Sequence, residues 1–570
     1  MAFDLNSIVD IALLFALVLL FAPSLGSYLA RVYTNRPVFG DRLWNPVEGF
    51  LYRLFGIDPR HSMRFKEYAL ALLLLGAALI VWIYAMMTLQ SYLPWNPGAL
   101  SGFSWDLAFH TAASFATNTD FTHFTSESQL SVGGAILGLQ IALFLSPAMG
   151  LAVIAAFVRG FTSRDGTLGN FYVDITRSVT RVLLPIAFVG AIVLVLLDLP
   201  QTFVSFVTAH GIGGASQTIY LGPVASWTSI ELLGTNGGGW YAANAANALA
   251  NPSGLSSLFE TALMLLIPVS VPFMFGRMVR RPSESYPYIA TILIVLFVAL
   301  GLFIYFQDAG STLVNSLPGI SPAVNGYPVG QQAQYTLTES SAFNIVSIYA
   351  NVGAQSAALG SLTSGAQMVL FFGMFTQSTP GGVGTGFGGL LIFAMVGVFL
   401  AGLMVGRTPE YLGKKVGTGQ MKWSAAVLIS HPAIILVPTL IAVVLGFAAS
   451  AVGPLSNSLA ANAHQFTILL YEFTSEAANN GSSMGPINDG TLFFNLIGAA
   501  IMLIGRFFPM LAMLAIGSLF AQQDYIPEST GTLKTTSLTF TLYLALLVVI
   551  VSGLLFLPVL ALGPLAQGGW

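Results

Sequence analysis

Four short segments of this chain combine small residues, amides or hydroxyls, and glycine in one register. They are Ala116-Thr117-Asn118-Thr119-Asp120, Gly234-Thr235-Asn236-Gly237-Gly238, Ala350-Asn351-Val352-Gly353-Ala354 and Ala478-Asn479-Asn480-Gly481-Ser482. Their fourth positions, Thr119, Gly237, Gly353 and Gly481, are separated by 118, 116 and 128 residues. The chemistry that suits such residues is coordination of a dehydrated cation. Its lost water must be replaced by oxygens, and backbone carbonyls of converging loops supply these without full negative charges, which would bind too tightly for release. Glycine turns a carbonyl inward at no steric cost, and small neighbours let four loops approach one axis. One such segment reads more plainly as an exposed turn; four in register argue for a shared site. The candidate cation-binding residues are Thr117, Asn118, Thr119, Asp120, Thr235, Asn236, Gly237, Gly238, Asn351, Val352, Gly353, Asn479, Asn480 and Gly481.

Such loops need elements to aim them. A short helical stretch precedes each segment, over 105–115, 225–233, 339–349 and 465–476, and its C-terminus would bring partial negative charge to the axis. Irregular backbone at membrane depth is tolerated only where it lines a cavity or is buried in protein. The connections that carry these segments hold acids and no bases, among them Asp106, Glu127, Glu231, Glu339, Glu472, Glu476 and Asp489, a field that attracts cations.

The solvent for most of the chain is a bilayer. Of 570 residues 55% are hydrophobic and 8% charged, where a soluble domain carries about 25% charged residues. Ten regions are long enough to cross the hydrocarbon core: 8–31, 68–92, 132–158, 179–199, 258–276, 288–306, 365–406, 423–449, 492–520 and 537–562. The first, flanked by Asp4 and Asp10 rather than basic residues, reads as a retained span and not a cleaved signal. The seventh is too long for one simple span, and its middle, 377–389, is too rich in glycine for a regular helix. Gly381–Gly389 is predicted to part it into two half-helices joined by a loop beneath the four segments, with Gln377, Gly381, Gly382 and Gly384 along the ion path.

The fold expected is an all-α polytopic membrane protein in which four span–re-entrant loop–span repeats surround one pseudo-fourfold axis. An N-terminal extra span and cytoplasmic loop occupy 1–65. The repeats fall at 66–164, 165–282, 283–416 (with the broken helix) and 417–525, and a last extra span at 526–570.

Orientation follows from the bases. Arg31, Arg36, Arg42, Arg53, Arg60, Arg64 and Lys66 follow the first span, and Arg159, Arg164, Arg177 and Arg181 the third. Arg277, Arg280 and Arg281 follow the fifth, Arg407, Lys414, Lys415 and Lys422 the seventh, and Lys534 the ninth. Odd-numbered connections are therefore cytoplasmic, even-numbered ones external, and both termini outside.

Among the bases Arg506 alone lies deep inside a span, about 14 residues or roughly 21 Å from its outer end at 1.5 Å per residue. A mid-membrane arginine is costly and marks function by default; here it reads as a cationic barrier or a structural pin below the loops. Arg407 either engages the broken-span loop or anchors the cytoplasmic end.

Other chemistry is sparse. The absence of cysteine removes disulfides, thiolate metal sites and cysteine nucleophiles. The six histidines, 61, 110, 123, 210, 431 and 464, show no metal-ligand spacing, so no transition metal is expected; His431, beside Pro432, reads as a satisfied core histidine. There is no Walker A sequence and no Asp-Lys-Thr-Gly phosphorylation motif, so ATP hydrolysis would have to come from another chain. A net charge of −3 gives no reason to expect a nucleic-acid partner.

Chains built from span–loop–span units in fourfold array are found among potassium uptake proteins of the Trk, Ktr and HKT type and in the KdpA family. Three segments resemble KdpA specifically: Leu233-Gly234-Thr235-Asn236-Gly237-Gly238-Gly239, the fifteen residues from Ala401 through Gly406-Arg407-Thr408-Pro409-Glu410 to Lys415, and Ala477-Ala478-Asn479-Asn480-Gly481-Ser482. Thr167-Leu168-Gly169-Asn170 and Ala561-Leu562-Gly563-Pro564 match as well. The resemblance implies a non-hydrolytic subunit in the bacterial inner membrane. It would bind potassium, with no organic cofactor, in a selectivity filter within a high-affinity import complex. Its partners would be a KdpB-like P-type ATPase, a KdpC-like subunit and a small KdpF-like subunit, besides membrane lipid, and the ion would leave sideways through an intersubunit tunnel. Departures from the family pattern are Asp120 in place of asparagine, Asn351-Val352-Gly353 in place of Ser-Cys-Gly, and Gln377 where some relatives carry glutamate.

A free-standing Trk/Ktr-like channel or symporter would use the same loops. A secondary transporter or membrane enzyme for an organic substrate would want charged or catalytic groups at mid-membrane, where only Arg506 stands. The charge pattern makes a direct prediction: a tag inserted at residue 100 or 215 is reached by an impermeant probe from outside, and one at 416 only from the cytoplasm. Labelling in the opposite pattern would reject the orientation.

Overall fold

In lipid, every backbone amide must find its partner within its own segment, which makes long apolar stretches helical. The computed structural model contains, among the described residues, ten helices long and apolar enough to cross a membrane. The structure describes residues 5–570 apart from 212, 213, 215, 311–331, 333, 334, 405, 407, 408, 527–532, 569 and 570. Arg407 therefore lies outside the described residues.

In chain order the main helices are α1 (Leu5–Tyr33), α2 (Asp41–Leu54), α3 (Phe65–Thr88), α4 (Trp105–Ala116), α5 (Val132–Thr162) and α6 (Phe171–Leu196). There follow α7 (Val224–Leu233), α8 (Gly254–Met278), α9 (Ser285–Ala309), α10 (Leu337–Tyr349), α11 (Ser364–Thr376) and α12 (Thr385–Met404). The last four are α13 (Thr418–Val444), α14 (Leu459–Ala478), α15 (Leu492–Ala521) and α16 (Leu538–Leu562). Among the described residues, strands are confined to short antiparallel pairs, of which the longest joins Phe206–His210 to Ser216–Tyr220.

Each of the four shorter helices α4, α7, α10 and α14 is wedged between spans. α4 packs on α3 and α15, α7 on α6 and α8, α10 on α8 and α9, and α14 on α13 and α15. The extra spans lie outside this set, α1 along α8 and α16 against α9, α11 and α12.

The seventh apolar region is broken, but over a shorter stretch than its glycines suggest. α11 stops at Thr376 and α12 begins at Thr385, so the unwound segment is 377–384 and Gly386, Gly388 and Gly389 are helical. Two of those glycines serve close packing instead. A Cβ on Gly386 would stand 2.4 Å from the Pro380 carbonyl oxygen, and one on Gly388 would stand 2.4 Å from the Met513 sulfur.

The basic connections are tied to one another. Arg181 reaches α2, with Nη1 2.5 Å from Asp41 Oδ1 and Nη2 2.9 Å from Glu48 Oε2. Arg159, at the end of α5, forms a two-pronged pair with Asp174 of α6 at 2.6 and 2.7 Å, the geometry that suits a guanidinium best. Lys414, fully buried, donates to the carbonyls of Gly160 (3.1 Å), Ser163 (2.7 Å) and Phe520 (2.7 Å). A cation there gives a further partner to carbonyls at and just past the C-terminal ends of α5 and α15.

Candidate functional site

α4, α7, α10 and α14 all end inside the molecule in the same manner. The residue that closes each enters the left-handed region: Asn118 at φ 65°, Thr235 at 50°, Asn351 at 51° and Asn479 at 52°. The following amide then reaches back five residues. Thr119 N donates to Ser114 O at 3.0 Å, Asn236 N to Glu231 O at 2.8 Å, Val352 N to Ser347 O at 2.8 Å and Asn480 N to Ser475 O at 2.9 Å. This is the Schellman-type closure of a helix C-terminus.

The closure fixes a register that differs from the one read in the sequence. It aligns Asn118, Thr235, Asn351 and Asn479, and hence Thr119 with Asn236, Val352 and Asn480 rather than with Gly237. The first loop is offset by one residue. Glycine matching misplaced it because asparagine and threonine hold the left-handed positions here. After the closing residue the chain turns again at Asp120 (φ 51°), Gly353 (87°) and Gly481 (91°), and in the second loop at Gly238 (58°), not at Gly237.

The four loops meet. A Cβ on Gly237 would stand 2.1 Å from the Thr119 carbonyl oxygen and 2.7 Å from that of Asn480. One on Gly481 would stand 2.1 Å from the Thr119 oxygen, and one on Gly353 1.9 Å from the Asn480 oxygen. Missing side chains therefore make the room in which carbonyls of neighbouring loops lie. Amides lock the loops to each other: Asn118 Nδ2 donates to Thr235 O (2.6 Å), Asn351 Nδ2 to Ala478 O (3.0 Å), and Asn479 Nδ2 to Thr119 Oγ1 (2.9 Å). Thr117 Oγ1 lies 2.8 Å from Thr119 Oγ1. The Asp120 carboxylate is buried beside them with no hydrogen bond among the described residues.

The unwound 377–384 segment crosses directly under this junction. Gly381 N donates to Tyr349 O and Val383 N to Thr235 Oγ1, each at 2.9 Å, so it is fastened to the second and third loops. Gly382 faces both, and a Cβ there would lie 3.4 Å from Thr235 Oγ1 and 3.7 Å from Asn351 Cβ. Gly384 passes close against Gly150 of α5, and a Cβ on it would stand 2.2 Å from the Gly150 carbonyl oxygen. Gln377 donates to Ala477 O at 3.2 Å and lies 2.9 Å from His431 Nδ1; with Met374 O at 3.1 Å from Nε2, that histidine is satisfied.

Arg506 stands on the far side of the same space. Its Nη1 donates to Thr385 Oγ1 at 3.1 Å and its Nη2 to Ser146 O at 3.2 Å. Asn118, Asn351, Asn479, Gln377, Gly382 and Arg506 all line a cavity of about 70 Å³ beneath the loops. The structure thus gathers every described candidate into one column: four helix C-termini and their loops, then a small polar cavity, then a guanidinium. Chemically the column can offer carbonyl oxygens to a cation above and a fixed positive charge below.

The sequence reading missed a further cluster beside the first and fourth loops. Two trios overlap there at His123, one of His110, His123 and Glu476 and one of His123, Glu472 and Asp489, all buried except the half-buried Asp489. Burial holds the Asp489 carboxyl above the ordinary carboxylate range. No spacing rule finds such a group, because His123 and Glu472 are 349 residues apart in the chain.

The sequence profile of the family described as "KdpA: Potassium-transporting ATPase A subunit" matches residues 12–568. The chain belongs to the KdpA family. Two relatives of this family are each named "Potassium-transporting ATPase potassium-binding subunit". One, from a Nostoc species, is 37% identical over 99% of this chain and 98% of its own length. The other, from an Anabaena species, is 35% identical over 98% of both chains. Among solved structures, the potassium transporter TrkH from Vibrio parahaemolyticus is similar at a TM-score of 0.52 and 14% identity, over 88% of this chain and 96% of that one. At that identity the likeness speaks for the fold alone: this KdpA-family chain shares the TrkH architecture.

Proposed function

We propose that this chain is the potassium-binding subunit of an ATP-driven potassium importer, and that its four loops form one selectivity filter on the external side of a bacterial inner membrane. The observation that carries this reading is the fourfold helix closure, which brings four C-termini and the Thr119 and Asn480 carbonyls to one point. Four negative helix ends and neutral carbonyls favour a monovalent cation that must also be released. The names of the Nostoc and Anabaena relatives supply potassium as the cation.

In this reading the filter layers are Thr119, Asn236, Val352 and Asn480, then Asp120, Gly237, Gly353 and Gly481. The repeats that carry them are those at 66–164, 165–282, 283–416 and 417–525, with extra spans at 1–65 and 526–570. The chain hydrolyses no ATP itself. A KdpB-like P-type ATPase does so, with KdpC-like and KdpF-like subunits completing the complex, and the ion leaves from the cavity beneath the loops toward the ATPase subunit. Gln377, Gly381, Gly382 and Gly384 form the floor of that path. Both termini face outward.

Arg506 prevents the ion from continuing straight down, since a fixed guanidinium below the cavity repels a cation in low dielectric. Arg506→Gln is accordingly expected to uncouple: potassium crosses the chain by leak while potassium-stimulated ATP hydrolysis falls, and Arg506→Lys retains most coupling. Normal coupling in the glutamine variant would leave this residue a packing role only.

Purified in mild detergent, the chain is expected to travel with a P-type ATPase whose activity rises with potassium. In that complex, Gly353→Ala and Gly481→Ala force a Cβ onto left-handed backbone, at about 1–3 kcal/mol. Apparent potassium affinity then drops about ten- to a hundredfold, at 1.4 kcal/mol per tenfold, and discrimination against rubidium and sodium relaxes. Gly301→Ala in α9, where a Cβ meets nothing within 4 Å, leaves both unchanged. Unaltered affinity and ion preference in both filter variants would refute the four-loop site. Potassium flux by the chain alone, with no ATPase attached, would instead make it a free-standing channel or symporter.

A further inference from the structure

The buried cluster next to the first and fourth loops holds two groups, His110 and Glu476, with no hydrogen-bond partner among the described residues, beside a histidine held on both nitrogens. Asn495 on α15 donates through Nδ2 to Asp106 Oδ2 at 2.9 Å, which turns its Oδ1 toward His123. That oxygen lies 2.7 Å from His123 Nδ1, so Nδ1 carries the hydrogen and Nε2 presents a lone pair in the neutral ring. The lone pair points at acceptors: Glu472 Oε1 at 3.2 Å and Glu476 Oε1 at 4.0 Å. Glu476 in turn lies 3.6 Å from His110 Nε2. Neither the Glu476 carboxylate nor the His110 ring has a hydrogen-bond partner among the described residues, although both are wholly buried. Gly498 on α15 makes the space, since a Cβ there would stand 1.9 Å from Glu476 Oε1.

A proton on His123 Nε2 would satisfy Glu472 alone; the buried His110 ring and Glu476 carboxylate, both without a hydrogen bond among the described residues, still face one volume that a cation would fill. The donor set, two imidazoles and a carboxylate with a fourth position open, suits a borderline metal such as zinc rather than potassium, calcium or magnesium. The spacing agrees for His110, His123 and Glu476. Ligands at about 2.0–2.1 Å from a tetrahedral centre stand roughly 3.3 Å apart, and Glu476 Oε1 lies 3.6 Å from His110 Nε2 and 4.0 Å from His123 Nε2. The two imidazoles stack at 3.7 Å between centroids, and the ring of His110, held by no hydrogen bond, is the one that turns to complete the set. The chain Asp106–Asn495–His123 supplies the outer support that fixes a metal-binding histidine's tautomer.

We infer that His110, His123 and Glu476 form a divalent transition-metal site of the zinc class, with Glu472 against His123 at its edge, which clamps α4 and the first loop to α14. Glu476 stands three residues before Asn479, so an ion here stiffens two of the four loops from outside.

The test uses the intact complex, stripped with a chelator and titrated with Zn²⁺, then with Co²⁺ as a spectroscopic probe, in excess potassium. One equivalent of Zn²⁺ per chain is expected, with an upward shift in melting temperature, and Co²⁺ gives the visible bands of a four-coordinate site. His110→Gln/Glu476→Gln loses that equivalent, the shift and the bands. Asn495→Ala keeps all three protein ligands but weakens Zn²⁺ binding by about 10–100-fold. The proposal is overturned if the folded wild-type complex takes up no Zn²⁺, or if the double variant and Asn495→Ala bind it as wild type does. A melting temperature that responds to pH through the histidine range and not to either metal would overturn it too, assigning the cluster to bound protons.

Discussion

Four helices end in the middle of this molecule, and each leaves carbonyl groups there that its own hydrogen bonding cannot satisfy. In a membrane no water is at hand to do so. The rest of the architecture follows from that constraint. The last turns are closed by amides reaching back five residues, the loops are bound to one another through Asn118, Asn351 and Asn479, and the Thr119 and Asn480 carbonyls lie where the loops meet. In the proposed function, the same oxygens that would be a defect in an empty core serve as the ligand set.

Two devices keep the arrangement from collapsing. The first is steric: at Gly237, Gly353 and Gly481 the absence of a side chain lets a neighbour's carbonyl enter the place a Cβ would take. The second is the floor. The 377–384 segment gives amides to Tyr349 and Thr235, and Arg506 holds Thr385 and Ser146. A broken span is costly unless its freed groups are paired, and here they are paired with the loops they support. At the basic end, Lys414 binds carbonyls from α5 and α15, and Arg181 draws α2 onto α6. The spans that flank the loops are thus tied far from the junction as well as at it.

Much of this was legible in the sequence because it is written in local signals. Hydropathy gives the ten spans, and the lone break in the seventh shows as Pro380 among glycines. The position of the four loops was legible too, but their register was not. Glycine is the usual residue on left-handed backbone, but here Asn118, Asn351 and Asn479 take it, a residue type that enters this region readily, and Thr235 does so with its Oγ1 accepting from Val383 N. The extent of the break was misjudged for a related reason: Gly386 and Gly388 are small because Pro380 and Met513 press on them, not because the helix unwinds. Contacts such as Gln377 with His431, or His123 with Glu472, join residues that only the folded chain makes neighbours.

The central claim is that an ion sits where the four loops meet. Crystals of the complex grown with rubidium or thallium in place of potassium test it by anomalous scattering. The account predicts the strongest peak within coordination distance of the Thr119 and Asn480 carbonyl oxygens, encircled by all four loops. A strongest peak at the Asp120 or Glu231 carboxylates, or in the cavity beside Arg506, with none between the loops, would contradict it.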